Sequence, residues 1–320
     1  MHRVPPPPSA SILQTIGNTP VVPLRKVVSA DSADVLVKLE YFNPTGSYKD
    51  RMALAMIEEA EKRGDLRPGM RVVEFTGGST GSSLALICSV KGYPFTAVSS
   101  DAFSREKLAT IRAMGADLVE LPSDGGKISK ELFHRMEHEA EKLAASPDVY
   151  YTRQLYNADS ILGYQTIGEE LAQQVSGPID AFCAAVGTAG MLMGVSRALR
   201  KAGQATRIIA LEPEGSPFLS QGITGSHRVE GIGLGYAPPL LDSASYDEAR
   251  AVDEAQAREM ARRLAREEGI FAGTSSGLNV AGALELAREL GPGHTVVTVA
   301  VDFGLKYLTG DLYSAEASRS

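Results

Sequence analysis

The sequence predicts an α/β protein built from two open, twisted, mostly parallel sheets with covering helices. Three observations carry that expectation. Short β-branched runs at 35–39, 71–75, 95–98, 182–186, 208–211 and 296–300 alternate with longer stretches of helical periodicity. Most of those helical stretches are followed by Gly or Pro, the residues that end helices. At 320 residues the chain exceeds the size at which one core keeps growing, so two units are expected.

Taken in order, the first run, 35–39, precedes a helix over 48–63 that stops at Gly64. The run 71–75 leads through a glycine-rich turn into a helix over 82–92, and 95–98 leads into a helix over 104–114. A strand after Asp117 stops at Pro122-Ser123-Asp124-Gly125-Gly126, and a helix covers 129–144. The polar stretch Ser146-Pro147-Asp148 separates these βα units from a second set: helices over 160–174, 191–202, 254–268 and 276–290 interleaved with the strands at 182–186, 208–211 and 296–300. A domain boundary is placed there. The strands are near-continuous apolar runs rather than alternating ones, the signature of parallel sheets covered on both faces.

Composition excludes several classes of function. The formal net charge is −7 with no basic block, so a nucleic-acid or anionic-membrane partner has no electrostatic footprint, and small-molecule chemistry is the default. No run of about eighteen apolar residues occurs, and the start, Met1-His2-Arg3-Val4 before four prolines, has no apolar core of a signal peptide; a cytoplasmic location is expected. Cys88 and Cys183 lie in apolar runs without metal-type spacing and are expected as buried, reduced thiols. His134 and His138 sit four apart on a helical stretch with no third ligand, so no metal is assigned and a solvated face is expected. Pro5 to Pro8 and the tail 314–320 are expected to be loose arms.

Ligands of open α/β sheets sit beyond the carboxyl ends of the strands, which directs attention to three strand-to-helix turns. Val186-Gly187-Thr188-Ala189-Gly190-Met191 offers free N–H groups at a helix start, an arrangement that binds phosphate; it equally suits glycine placed for close helix packing. It lacks the Lys-Ser/Thr of a Walker loop and the spacing of a dinucleotide fold. Thr76-Gly77-Gly78-Ser79-Thr80-Gly81 offers hydroxyls and N–H groups to a carboxylate, with a capped helix start as the plain alternative. In Asn43-Pro44-Thr45-Gly46-Ser47-Tyr48-Lys49-Asp50-Arg51, Ser47 and Asp50 have the spacing of a capping box, which places Lys49 in the first helical turn. A helix N-terminus disfavours a cation and favours the neutral, nucleophilic amine that a Schiff base requires, although most lysines, with Lys26, Lys62, Lys107 and Lys142 expected among them, are solvated surface charges.

Together these stretches, with Gly17-Asn18-Thr19-Pro20, Lys38-Leu39-Glu40, Gln154, Gly231-Ile232-Gly233 and Gly273-Thr274-Ser275-Ser276-Gly277, resemble the cysteine synthase and cystathionine β-synthase group of fold-type II pyridoxal-phosphate (PLP) enzymes, whose fold is like that of the tryptophan synthase β-subunit. The resemblance runs nearly end to end. It implies that Lys49 carries the cofactor and removes the substrate's α-proton, that Thr76, Gly77, Gly78, Ser79, Thr80 and Gln154 hold the substrate carboxylate, that Gly187, Thr188, Ala189, Gly190 and Met191 cradle the cofactor phosphate, and that Gly231 lines the entrance. It further implies a small mobile domain over 42–152 set into a larger one of 1–41 and 153–320, a homodimer, and β-replacement on an activated serine such as O-acetylserine or O-phosphoserine through an aminoacrylate. The partners are then a small amino acid and a small nucleophile.

Departures from the family pattern mark the site as specialised. Ser79 stands where the family's asparagine contacts the cofactor's ring hydroxyl, Gly77 replaces a serine, and Ala189 and Met191 replace glycine and threonine. In Val301-Asp302-Phe303-Gly304-Leu305-Lys306-Tyr307, Phe303 replaces a serine expected to meet the ring nitrogen, leaving Asp302, water or no partner for it and suggesting an unprotonated ring. Two other readings stay open: an enzyme of β-elimination alone, of the dehydratase or desulfhydrase type, and a non-catalytic scaffold of the same fold. No haem-binding extension or regulatory module is expected on this chain.

Overall fold

The computed structural model describes residues 8–126 and 129–314. The arms expected at 5–7 and 315–320 lie outside the described residues. In chain order the elements are β1 (Val21–Pro23), β2 (Asp34–Leu39), α1 (Lys49–Arg63), β3 (Arg71–Phe75), α2 (Ser79–Lys91), β4 (Phe95–Ser100), α3 (Arg105–Ala113), β5 (Asp117–Leu121), α4 (Lys130–Leu143), β6 (Val149–Tyr151), α5 (Asp159–Gln174), β7 (Ala181–Ala185), α6 (Gly190–Lys201), β8 (Arg207–Pro213), α7 (Phe218–Gln221), β9 (Glu248–Val252), α8 (Glu254–Arg263), α9 (Thr274–Leu290) and β10 (Thr295–Ala300).

Two sheets result. One has the order β1-β2-β10-β7-β8-β9 and the other β5-β4-β3-β6. Every pairing is parallel except β1 with β2. The expected α/β architecture with two mostly parallel sheets is therefore the observed one. The short strands β1, β6 and β9 were not anticipated; they are brief and half-buried, with no long apolar run to announce them. Because β6 pairs with β3, the four-stranded sheet continues past the polar stretch at 146–148.

Three cores hold the sheets. The largest joins both: Met52, Met56 and Leu84 from α1 and α2 share it with Ile167 of α5, Phe182 of β7 and Val297 of β10. A second lies between the six-stranded sheet and helices α8 and α9, and a third, with Leu132 and Met136 of α4, covers the other face of the four-stranded sheet. Each fully buried Leu, Ile or Met contributes about 1.5–3 kcal/mol. Helix α1 thus sits at the junction of the sheets, and so does its first residue, Lys49.

A buried ionic network fixes that junction. The Arg51 guanidinium holds Glu40 at 2.7 Å and Glu170 at 2.6 Å, and Lys38 donates to the same Glu170 at 2.5 Å. Thr19 Oγ1 donates to Glu40 at 2.6 Å, so the Gly17-Asn18-Thr19-Pro20 stretch is tied to α1 through one carboxylate. Burial works against the ionised Glu170, but Arg51 and Lys38 outweigh it and hold its carboxyl at about 2.

The expected capping box does not form. Ser47 Oγ does accept the Lys49 N–H, at 3.2 Å, but the Asp50 carboxylate turns to the Thr45 N–H, the Thr45 hydroxyl and the Ser83 hydroxyl. The reason is that Thr45 and Ser83 enclose Asp50 completely, giving it nearer donors than the Ser47 N–H. Lys49 is still the first helical residue. Helix α2 starts at Ser79, three residues before the expected start, so Ser79 and Thr80 lie in its first turn.

Candidate active site

Lys49 enters the site as the first residue of α1, where Val301 O accepts the Tyr48 N–H at 3.0 Å and pins the turn to the end of β10. Its side chain is 8% exposed, and its amine lies 4.6 Å from the Tyr48 ring centroid and 5.9 Å from that of Tyr164. Among the described residues no carboxylate pairs with it. A nearly buried lysine between two aromatic faces, with no acid to neutralise, is a nucleophile held in reserve.

The loop after β3 is shaped by one hydroxyl. Thr76 Oγ1 accepts the N–H of Gly78 at 2.9 Å and that of Gly81 at 3.2 Å. Gly77, Ser79 and Thr80 keep N–H groups with no partner among the described residues. Gly78 is obligatory: its φ is +130°, and a Cβ there would stand 2.5 Å from Lys107 Cβ. Gln154 completes the group. Its Nε2 donates to Phe75 O at 2.8 Å and its Oε1 accepts the Thr80 hydroxyl at 2.7 Å, which leaves one Nε2 hydrogen for a ligand. The loop and Gln154 together present donors at the positive end of α2, an arrangement suited to a carboxylate.

On the other sheet, the turn between β7 and α6 presents a second set of donors. Ala189 stands at φ +67°, ψ −14°, a left-handed conformation unusual for a residue with a side chain, as the N-cap of α6. The N–H groups of Thr188, Ala189, Gly190 and Met191 have no partner among the described residues. Gly187 cannot be larger, since a Cβ would lie 2.2 Å from Gly231 O; the loop carrying Gly231 rests directly on this turn, with Gly233 N donating to Val186 O at 3.0 Å. Two buried hydroxyls next to the turn, Ser160 Oγ and Tyr164 OH, have no partner among the described residues, and a Cβ on Gly190 would come within 2.9 Å of the former. Sequence alone gave no signal for Ser160 or Tyr164, which α5 contributes from another part of the chain.

The third wall is the segment after β10. Phe303 N donates to Gly46 O at 3.0 Å, and the Phe303 ring lies 5.4 Å from Tyr41 and 5.7 Å from Phe271, in an aromatic cluster. Asp302 Oδ2 accepts the Tyr307 hydroxyl at 2.7 Å, whereas Asp302 Oδ1 is buried without a partner among the described residues and lies 2.5 Å from where a Cβ of Gly273 would be. Ser275, buried in the first turn of α9, carries a hydroxyl at the same end of that helix. Burial holds the Lys306 amine below the usual lysine range, with Asp302 opposing that effect.

A second expectation fails. Lys107 is not a solvated surface charge: it is 4% exposed, its stem packs on Gly78, and its ammonium holds Glu230 at 2.5 Å and faces the Tyr307 ring at 4.7 Å. Burial works against its charge, but Glu230 and Asp302 outweigh this and hold the ammonium above the ordinary range. Its partners come from residues 230 and 307, beyond the reach of any local pattern. The two thiols are as expected: Cys88 and Cys183 are free and buried, with burial pushing each thiol up to about 12. Among the described residues no group of three or more His, Cys, Asp or Glu is placed to hold a metal ion. No helix among the described residues is long and apolar enough to cross a membrane.

Two mostly parallel sheets, a lysine with no carboxylate partner among the described residues at their junction, and two sets of helix N-terminal donors suit an enzyme that binds a phosphorylated aldehyde cofactor beside a carboxylate. The chain belongs to the family of pyridoxal-phosphate dependent enzymes, whose model matches residues 12–302. It is 45% identical to a cysteine synthase of Staphylococcus aureus (strain Mu50 / ATCC 700699) over 309 residues, 96% of this chain and 98% of that one. Among solved structures, O-ureido-L-serine synthase superposes with a TM-score of 0.88 at 38% identity, covering 98% of this chain and 99% of its own. Cysteine synthase from Entamoeba histolytica does so with a TM-score of 0.88 at 31% identity, covering 98% and 94%. The chain is a PLP-dependent enzyme of fold type II. Its residues suit the cofactor in kind: among the described residues, an amine with no carboxylate partner, a turn of N–H groups with no partner and two buried hydroxyls with none offer what an aldehyde and a phosphate bind.

Proposed function

We propose that the protein catalyses β-replacement on an activated serine, of the O-acetylserine or O-phosphoserine type, with Lys49 carrying the cofactor. The observation that supports this most directly is the Lys49 amine, nearly buried, without an acid partner among the described residues. Pyridoxal phosphate, when bound, supplies the electron sink for charge developing at the substrate's α-carbon. The N–H groups of Thr188, Ala189, Gly190 and Met191, with Ser160, receive its phosphate. Ser275 Oγ and Asp302 Oδ1 are the polar atoms that would be offered to its ring, while the Phe303 ring is engaged with Tyr41 and Phe271. The N–H groups of Gly77, Ser79 and Thr80 and the free Nε2 hydrogen of Gln154 would orient the substrate carboxylate, and the Lys49 amine would take the α-proton. Residues 42–152 act as the small substrate-binding domain on 1–41 and 153–320, and Gly231 with Glu230 and Lys107 closes the entrance against water. The names of relatives, cysteine synthase and O-ureido-L-serine synthase, point to a small nucleophile as second substrate.

The test is to add O-acetylserine, O-phosphoserine, serine and cysteine separately to the holoenzyme, with and without sulfide or a small amine, and to follow the cofactor's visible band and the products. A β-substituted alanine formed without pyruvate supports replacement. Pyruvate and ammonia with every donor would shift the reading to elimination. No spectral change with any donor, in wild type as in Lys49→Ala, would leave a scaffold. We also propose a homodimer in the cytoplasm; sedimentation at twice the 34.0 kDa chain mass supports the dimer, and a monomer overturns it.

A further inference from the structure

Glu74 is an acid the chemistry above does not use, and it is completely buried at the end of β3. Its Oε2 accepts the Thr152 hydroxyl at 2.6 Å and the Gln154 N–H at 2.9 Å, and its Oε1 accepts the Phe75 N–H at 3.1 Å. Two backbone N–H groups and a hydroxyl thus face the carboxylate, and the Thr152 hydroxyl also lies 3.4 Å from Val73 O, so it has a second acceptor to turn to. Beyond Gln154 the chain of bonds continues: the Gln154 side chain spans Phe75 O and the Thr80 hydroxyl, and Thr80 opens α2.

We propose that Glu74 is the positioning residue of the substrate-carboxylate site, its ionised carboxylate fixing the Gln154 backbone and thereby the side-chain amide that meets the substrate. The inference rests on the reading that Gln154 and the 77–80 loop bind that carboxylate. Protonation removes the charge that strengthens the bonds to Glu74, among them that from the Gln154 N–H, and lets the Thr152 hydroxyl turn to Val73 O and accept the new proton. The bonds at Oε2 are those that hold Gln154. Burial pushes the Glu74 carboxyl up to about 7, so this change falls in the neutral range. The ionisable groups set against it are Glu137 of α4, which raises it further, and Tyr151 of β6, whose phenol burial keeps uncharged; α2 brings only hydroxyls to this region, and Arg71 on the same strand is bound to Asp117.

Propionate is a suitable probe for the holoenzyme, because it is ionised throughout pH 6–8 and lacks the amine that would react with the cofactor. Its dissociation constant, from the shift of the cofactor's visible band, is expected to rise about tenfold from pH 8 to pH 6, following a group that titrates near 7. In Glu74→Gln the constant becomes independent of pH over this range. Thr152→Val, which removes one donor to Glu74, moves the wild-type midpoint to higher pH and serves if Glu74→Gln does not fold. A flat wild-type profile, or a pH dependence retained in Glu74→Gln, overturns the inference. Gln154→Ala separates the two levels: unchanged propionate binding there overturns the carboxylate-site reading, whereas lost binding there with a pH limb surviving in Glu74→Gln removes the role of Glu74 alone.

Discussion

Lys107 Nζ donates to Glu230 Oε2 at 2.5 Å, and that bond ties α3, beside the four-stranded sheet, to the loop of Gly231 that rests on the six-stranded one. Its two ends differ: Lys107 is 4% exposed and Glu230 27%. Neutralising the carboxylate leaves a buried ammonium without a counter-charge beside it, its acceptors among the described residues being the Tyr307 hydroxyl at 3.4 Å and an uncharged amide oxygen, whereas removing the ammonium leaves a carboxylate that water can reach. Glu230→Gln is therefore expected to cost about 3 kcal/mol and Lys107→Met about 1–2 kcal/mol in urea unfolding. Equal losses would show that the pair is solvated. Faster amide exchange through α3 in Glu230→Gln is the accompanying sign that the bond holds the two sides together.

The turn of Gly187 and Ala189 makes opposite predictions for two neighbouring glycine–alanine exchanges. Gly187→Ala drives a methyl to 2.2 Å from Gly231 O and is expected to cost about 3 kcal/mol or more, with weakened cofactor retention, because backbone rather than a flexible side chain must move. Ala189→Gly relieves a left-handed alanine, a conformation costing about 1 kcal/mol, and is expected to be neutral or slightly stabilising. Thermal unfolding of the two holoenzymes decides it.

How far the sequence disclosed this site follows from how local each feature is. The alternation of strands and helices, the two sheets and the three glycine-rich turns are set by neighbouring residues, and they were legible. The first-turn position of Lys49 is legible, but the bonds that set it are not those of the expected box: Asp50 accepts from Thr45 and Ser83 instead of closing on Ser47. Lys107, Ser160 and Tyr164 carry no local signal, because the role of each depends on partners from elsewhere in the chain. The short strands β1, β6 and β9 were missed because three to five half-buried residues carry too little pattern to distinguish a strand from a loop.

Arg51 should be far less replaceable than its neighbours on α1. Arg51→Met removes both bonds to Glu40, a fully buried carboxylate that would keep only the Thr19 hydroxyl and Asn43 amide, and one side of the Glu170 pair. A loss of about 3–5 kcal/mol is expected. Because Glu170 is held at about 2, below its usual 4.5, the stability it supplies is present above pH 4.5 and lost as pH falls toward 2. Acid unfolding of Arg51→Met should accordingly begin at higher pH than that of the wild type; coincident acid transitions would place the network's contribution elsewhere.

Glu74 makes the reverse prediction for stability and pH. Its carboxyl is raised from 4.5 to about 7 by burial, so between those values the folded protein holds a proton that the unfolded chain has released. Stability contributed at this position therefore falls as pH rises through the window and levels off above 7. Glu74→Gln fills the same volume, can still accept the Gln154 N–H, and does not titrate. At pH 5 variant and wild type should unfold alike, both being neutral at this position. At pH 8 the variant should be the more stable, by on the order of 3 kcal/mol if the whole shift is realised and less if its amide hydrogens find no acceptor. Weaker binding of the substrate carboxylate alongside greater stability at pH 8 would mean that the buried charge is kept at a cost to the fold because the site requires it; a variant less stable at both pH values would mean that the three donors need an anion for structural reasons alone.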